Sequence, residues 1–214
     1  MMKMDESLAA FQALILQMYR KVKTMHELAL DILRSGDKEK ALQLIYMDDF
    51  VNHLEEEIND QAQTVLALLS PVATDLRKVI TGIKIASDLE RIGDYAKNIA
   101  DYVIKKGPAE PPFVGEQAEA IGRLFLAMLD AAMDAYQKED VAQAYRIPQQ
   151  DEQINDQFAE LSGQIETAVM QGMQLEHVVP LVAMLRNFER AGDHTKNICE
   201  HLIYQVKGQH IDFG

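Results

Sequence analysis

A fifteen-residue segment occurs twice in this sequence, 99 residues apart. Residues 90–104 read ERIGDYAKNIADYVI and residues 189–203 read ERAGDHTKNICEHLI, so 8 of 15 positions are identical. Apolar residues upstream correspond at the same offset, for example Ile83 and Val182. A duplication of this length predicts two similar structural units, each built from the same elements in the same order.

Within these units the apolar residues follow a helical period. Near the start of the chain they recur at intervals of three and four, at Phe11, Leu14, Ile15, Met18, Val22, Met25, Ala29 and Ile32. This spacing indicates amphipathic helices, and no segment alternates strictly enough for a strand. Turn residues predict six helices, at 6–34, 37–69, 72–106, 116–137, 140–171 and 174–206. We therefore predict an all-α fold with two tandem antiparallel three-helix bundles.

Prolines mark the boundary between the two units. Three of the six prolines lie in residues 107–112. Such a segment predicts a Pro-rich linker over 107–115, between a first bundle at 1–106 and a second at 116–214. Pro148 and Pro180 fall inside the fifth and sixth predicted helices, where each is expected to kink the helix or to mark a misplaced boundary.

The charge balance excludes several classes of function. Lys and Arg number 21 against 34 Asp and Glu, which gives a net charge of −13. So acidic a chain is poorly suited to nucleic acids or to anionic membrane surfaces. There is one cysteine, Cys199, and therefore no intrachain disulfide. No apolar run approaches the roughly 20 residues needed to span a bilayer, and no signal peptide is visible, so we expect a cytoplasmic protein.

The repeated segment places acidic side chains on one helix face. At 100° per residue, Glu90 and Asp94 lie about 40° apart, as do Glu189 and Asp193 in the second copy. Apolar residues one or two turns upstream occupy the same stripe, so the carboxylates continue a face that begins as core. Partial burial of unpaired charges costs several kcal/mol. Because this arrangement of partly buried acids occurs in both copies, it indicates a compensating cation.

Folding each hairpin brings further oxygens to the same height. Asp48 and Asp94 lie 23 residues before and after Pro71, and the corresponding pair lies 21 residues on either side of Gly172. We predict metal ligands at Asp48, Glu90 and Asp94 in the first bundle and at Asp151, Glu189 and Asp193 in the second. Weaker candidates are Asn52, Asn98 and Asp101, with Asn155, Asn197 and Glu200 as counterparts. Hard oxygen ligands favour Mg, Ca, Mn or Fe, with zinc less typical.

Two alternatives stay open on this reasoning. Arg91, Lys97 and their counterparts could neutralise the acids, which would make the protein a metal-free helical scaffold. A carboxylate-bridged metalloenzyme that hydrolyses a phosphoester or activates oxygen is the other alternative. No Gly-Lys phosphate loop and no E-x-x-H pair occurs in the sequence. No nucleophile with a plausible base emerges either, so we predict no catalytic residues and no nucleotide cofactor.

Three motifs resemble the signatures of the PhoU family. They are PVATDLR at 71–77, DLERIGD at 88–94 and FERAGDH at 188–194, the last followed by Asn197 and Ile198. The duplication, the linker and the length agree with that family, so the resemblance covers nearly the whole chain. Departures lie in the second copy, at Phe188, Ala191 and Asn155. The second copy therefore matches the family pattern less completely than the first.

The resemblance implies a fold and a function. It implies two three-helix bundles, often in a dimer, with multinuclear iron or zinc clusters on the E-x-x-x-D faces, and no catalysis. It also implies a negative regulator of phosphate-starvation signalling. Such a regulator would link the ATPase subunit of a phosphate ABC transporter to a membrane sensor histidine kinase.

Overall fold

The computed structural model describes residues 2–214, and every regular element in that range is helical. The elements are α1 (Met2–Ser35), α2 (Lys38–Leu69), α3 (Ala73–Lys106), α4 (Pro112–Lys138), the single turn α5 (Val141–Ala144), a 3₁₀ turn (Ile147–Gln150), α6 (Asp151–Met170) and α7 (Leu175–Lys207). The predicted all-α fold is confirmed. Within this range no helix is long and apolar enough to cross a membrane.

The first bundle consists of α1, α2 and α3, which pack on one another around a buried apolar core. Gly36 ends α1 in the left-handed region, at φ 69°, and its N–H donates to the Ile32 carbonyl at 2.8 Å. Asp37 then caps α2, because its carboxylate accepts from the N–H groups of Glu39 and Lys40 at 3.0 and 3.1 Å. A glycine after one helix and an acceptor before the next therefore fix the turn between α1 and α2.

The second bundle consists of α4, α6 and α7, and here two predicted boundaries are wrong. The helix predicted at 140–171 is divided, because Pro148 lies in the 3₁₀ turn and α6 begins only at Asp151. Proline has no N–H to continue a helical ladder, so the chain re-enters a helix three residues later. Helix α4 begins at Pro112, which shortens the linker to 107–111.

Pro180 lies inside α7 without ending it. It is the sixth residue of the helix, so its missing N–H removes only one bond from the N-terminal part of the ladder. The predicted boundary at this proline is wrong, because α7 is continuous from Leu175 to Lys207, and a kink there stays a prediction.

Helices α3 and α7 share the most extensive contact of any helix pair and join the two bundles. They run antiparallel, since Arg77 Nε donates to the Gln205 carbonyl at 2.9 Å near one end, while Asn98 Nδ2 donates to Asn187 Oδ1 at 3.3 Å further along. Between these contacts the Tyr95 hydroxyl lies 3.2 Å from His194 Nε2. Tyr95 and His194 are equivalent at the 99-residue offset, so a pseudo-twofold axis passes between them.

Candidate functional site

The first acidic face centres on Asp48 of α2, whose side chain is 1% exposed. Its Oδ2 accepts hydrogen bonds from Lys97 Nζ and, at 3.4 Å, from Asn52 Nδ2. Its Oδ1 is buried without a hydrogen-bond partner in the described part of the chain. Because Lys97 belongs to α3, the hairpin brings the two predicted segments together at one height, as the counting from Pro71 indicates.

Glu90 and Asp94 continue this face along α3. Burial raises the pKa of Glu90, and the negative charge of Asp94 raises it further, although Arg91 works in the opposite direction. Arg91 lies 3.6 Å from a Glu90 oxygen and 3.5 Å from an Asp94 oxygen. The carboxyl group of Glu90 is thus disfavoured in its ionised form by burial first and by a neighbouring acid second, and the arginine does not fully offset the two.

Glu55 is a member of the first face that the sequence analysis missed. Burial and neighbouring acids that include Asp94 raise the pKa of its carboxyl group, against the opposing charge of Arg91. Glu55 follows Asp48 by seven residues, which is two helical turns on the same side of α2. That spacing is the signal from which it could have been predicted.

The second acidic face is organised around Lys196. Its ammonium lies 3.1 Å from Asp151 Oδ2 and 3.0 Å from Asp193 Oδ1, so it joins α6 to α7. Burial opposes the charge of Lys196, but the hydrogen bonds to the two aspartates raise its pKa overall. Asn155 Nδ2 donates to Asp151 Oδ2 at 3.3 Å, as Asn52 does to Asp48. Glu189 instead lies 3.8 Å from Arg186.

Gly192 allows α7 to approach Asp151 closely. A Cβ atom at this position would lie 2.9 Å from Asp151 Oδ1, which is closer than real Cβ contacts. At the equivalent Gly93 the nearest atom would be a Val51 methyl carbon at 3.4 Å. The glycine of the repeated motif is therefore part of the site in the second copy and a packing position in the first.

The weaker candidates lie in several different settings. Asn52 and Asn155 contact the buried aspartates, as described. Asn98 and Asn197 instead point into the contact between the bundles, where they donate to Asn187 and to Asp88. Glu200 accepts from the backbone N–H of Phe213 at 2.8 Å, and Asp101 is half-buried on α3.

A polar network between the bundles was not predicted from the sequence. Asp88 Oδ1 lies 2.8 Å from His194 Nδ1 and accepts from Asn197 Nδ2 at 3.2 Å, and its Oδ2 lies 3.1 Å from His201 Nε2. Burial of Asp88 acts to raise its pKa, but the hydrogen bonds from these three side chains lower it overall. The counterpart of Asp88 at the 99-residue offset is Asn187, and this difference between the copies was the available signal.

The two acidic faces approach each other near the pseudo-twofold axis. Burial raises the pKa of Tyr95, and the charges of Arg190, Arg91, Asp94 and Asp193 also act on it. These four side chains come equally from the two copies of the repeat. A partner that covers the axis would therefore meet charged groups from both faces.

A lysine ammonium is the cation that neutralises the buried aspartate in each face. Among residues 2–214, no three His, Cys, Asp or Glu side chains are already placed to hold a metal ion together. The donor set is nevertheless one of carboxylate and amide oxygens, which suits a hard divalent cation.

The fold and these faces define a class of protein. It has two tandem three-helix bundles, and each bundle carries acidic and basic side chains on a helix face near the pseudo-twofold axis. The family model described as the PhoU domain matches residues 15–103 and again residues 119–202. Two matches in one chain correspond to the two bundles. The chain belongs to the PhoU family.

Relatives and solved structures agree with this assignment. The chain is 32% identical over 184 residues to the "Phosphate-specific transport system accessory protein PhoU" of Serratia marcescens, covering 86% of this chain and 76% of the relative. It is 31% identical over 182 residues to the protein of that name from Escherichia coli (strain K12), with 85% and 76% covered.

Two crystal structures share the whole fold. "The phosphate transport system regulatory protein PhoU from Streptococcus pneumoniae" superposes with a TM-score of 0.89 at 30% identity, covering 98% of this chain and 100% of that one. PhoU from Pseudomonas aeruginosa gives a TM-score of 0.88 at 30% identity, with 96% and 99% covered.

Proposed function

We propose that this protein is a non-enzymatic regulator of phosphate uptake and phosphate-starvation signalling. It would act in the cytoplasm, as a homodimer and a metal-binding adaptor between the ATPase subunit of a phosphate ABC transporter and a sensor histidine kinase. Support for the transport role comes from the relatives, whose names describe accessory and regulatory proteins of phosphate transport. The observation that carries the metal-binding part is the duplicated acidic face with a buried aspartate at its centre.

The first face supports cation binding by its unsatisfied charge. Asp48 is buried, one of its oxygens has no hydrogen-bond partner within the described chain, and burial and Asp94 raise the pKa of Glu90. A divalent cation would satisfy these oxygens, with Asp48, Glu90, Asp94 and Glu55 as its candidate ligands in the first face. Asp151, Asp193 and Glu189 are the candidates in the second. When bound, an iron or zinc cluster, or Mg or Mn, would supply positive charge that holds α2 to α3 or α6 to α7.

The lysines favour a second candidate, a metal-free scaffold. Lys97 already pairs with Asp48, and Lys196 already pairs with Asp151 and Asp193. If those ion pairs are the final state, both faces are structural. The two functions differ in one measurable quantity, which is the affinity of the faces for divalent cations.

Metal analysis and thermal melts separate these functions. Untagged protein should contain Fe or Zn by elemental analysis, and added Fe, Mn, Zn or Mg should raise the melting temperature relative to chelator. A cation at a hundredfold excess over its Kd stabilises the folded state by about 2.7 kcal/mol. Asp94→Ala should remove most of that rise, whereas Asp60→Asn, an exposed acid elsewhere on α2, should not. Equal rises in the two variants, or none in the parent, would leave the scaffold as the function.

Binding and turnover assays test the adaptor role. Immobilised protein should retain the transporter ATPase subunit or the kinase from purified mixtures, and light scattering should give twice the chain mass of 24.1 kDa. Metal-dependent hydrolysis of generic phosphoesters at ordinary enzyme rates would contradict the non-enzymatic assignment.

A further inference from the structure

The chain after α7 folds back onto the second acidic face. Gly208 ends α7 at φ 68°, with its N–H donating to the Tyr204 carbonyl at 2.8 Å, and the backbone then reverses. We call residues 209–214 the tail. Ile211 and Phe213 are half-buried and pack against the apolar core, and the Phe213 ring meets Tyr145 edge-on with centroids 6.3 Å apart. His210 stacks on Tyr204 with centroids 4.3 Å apart.

Two contacts tie the tail to the acidic stripe of α7. The Phe213 N–H donates to Glu200 Oε1 at 2.8 Å, and the Gly214 carbonyl accepts from Lys196 Nζ at 2.7 Å. Lys196 is the residue that neutralises Asp151 and Asp193. Together with the Gly214 oxygen, the two aspartates place three oxygens within 3.1 Å of its ammonium.

The equivalent lysine of the first face is held differently. Within residues 2–214, Asp48 is the single hydrogen-bond acceptor of Lys97. The side chain of Lys97 is 35% exposed, against 12% for Lys196. The equivalent ammonium groups are therefore more exposed in the first copy and more covered in the second.

We propose that the tail is a gate on the second acidic face. While it is docked, it holds Lys196 between Asp151 and Asp193 and occupies Glu200, so a divalent cation reaches these carboxylates only when the tail and the lysine move away. The first face has no such gate and fills at a lower cation concentration. The proposal rests on the proposed cation binding by these faces and assigns the two copies different affinities.

The physical reason is competition between two positive charges for the same oxygens. A divalent cation must displace the Lys196 ammonium from the carboxylates. The docked tail raises the free-energy cost of that displacement, because it limits where the ammonium can move. Removal of the tail should therefore strengthen cation binding at the second face, and we expect at least a tenfold decrease in Kd. Lys196→Gln should have the same effect with the tail present, because it removes the competing charge.

Zinc titration calorimetry tests this in a background that silences the first face, Asp48→Asn with Glu90→Gln. The comparison is between the chain through Gly214, the chain ended at Gly208, the chain with Phe213→Ala and the chain with Lys196→Gln. The Phe213→Ala variant loosens the tail without shortening it. Because loss of the tail also removes His210, zinc binding through that imidazole would change affinity in the opposite direction. Melting curves without metal establish that each variant is folded.

A second readout follows the tail itself. Cys199 is buried, and burial raises its thiol pKa to about 12, so a spin label attached at Asp212→Cys reports on the tail alone. Zinc is diamagnetic, and saturation should convert the label from restricted to mobile motion. In the matched control, Asp151→Asn with Asp193→Asn, zinc should leave the label unchanged.

Three results decide the proposal. Tighter binding on shortening, with release of the label, supports the gate. The gate is overturned, and the proposed function is left in place, by either of two results. One is that the zinc Kd of the second face agrees within twofold among all variants, and the other is that the second face saturates with zinc while the label stays restricted. Absence of zinc binding in every variant and in the parent overturns both.

Discussion

His26 lies where the two bundles meet, and it provides a sharp test of how burial acts on a titratable side chain. It lies on α1 with no exposed surface, and its Nε2 donates to the Ile92 carbonyl on α3 at 2.7 Å. The ring centroids of Phe125 on α4 and Phe188 on α7 lie 4.7 and 6.3 Å away. Burial lowers the pKa of His26 from 6.5 to about 4, with only partial opposition from the Ile92 hydrogen bond.

A depressed histidine pKa makes the folded state sensitive to acid. The unfolded chain binds a proton near pH 6.5 and the folded chain only near pH 4, so stability is full above 6.5 and is lost as pH falls towards 4. At pH 5.5 about ten in eleven unfolded imidazoles are protonated, against a few per cent in the folded protein. The difference corresponds to about 1.4 kcal/mol lost relative to pH 7.5.

Urea unfolding at pH 7.5, 6.5 and 5.5 measures this loss directly and keeps the protein above its pI of about 4.8. His26→Gln retains a donor for Ile92 and does not titrate, so its free energy of unfolding should fall less over this range, by about 1.4 kcal/mol. His53→Gln removes an exposed histidine and should keep the slope of the parent. Parallel slopes for His26→Gln and the parent would refute the argument that burial sets this pKa.

Three further outcomes follow from the packing and the ion pairs. Gly82→Ala should lower the free energy of unfolding in urea by about 1–3 kcal/mol, because its Cβ would overlap the Phe11 ring. Gly93→Ala should be neutral or stabilising by up to about 1 kcal/mol. Lys97→Met should lower thermal stability without metal by roughly 2 kcal/mol, as it leaves Asp48 buried and unpaired, and added divalent cation should restore part of it. Asp88→Asn should lower the free energy of unfolding at pH 7 by about 1–3 kcal/mol. It should also reduce the loss of stability below pH 3.8, because a carboxyl group whose pKa is lowered on folding stabilises the folded state fully only above its pKa in the unfolded chain.

Local chemistry explains why most of the fold could be predicted. Gly36 and Asp37 fix the first turn through a left-handed residue and a side-chain cap, and the observed α2 and α3 begin within one residue of the predicted boundaries. Pro148 shows the limit of the approach. The apolar pattern continued across it, but a missing N–H decided the structure, and α6 begins after it.

The candidate site could be predicted only within each hairpin. The distance of Asp48 and Asp94 from Pro71 follows from chain counting, because antiparallel neighbours share a height. The network around Asp88 depends instead on the packing of α3 against α7, and its histidine partners are 106 and 113 residues away in sequence. The tail contact with Lys196 depends on a chain reversal at Gly208 that the helical pattern does not encode.

The pseudo-twofold axis also determines which halves can pair. If two first bundles met in this way, Tyr95 would face another Tyr95, and Asp88 would meet Tyr102 where His201 now stands, with no imidazole available. Each buried carboxylate would then lack its histidine partners. If two second bundles met, Asn187 would leave His194 and His201 without an acid. The two halves of this chain are thus complementary to each other and poorly matched to themselves, which disfavours pairing between like bundles of different molecules.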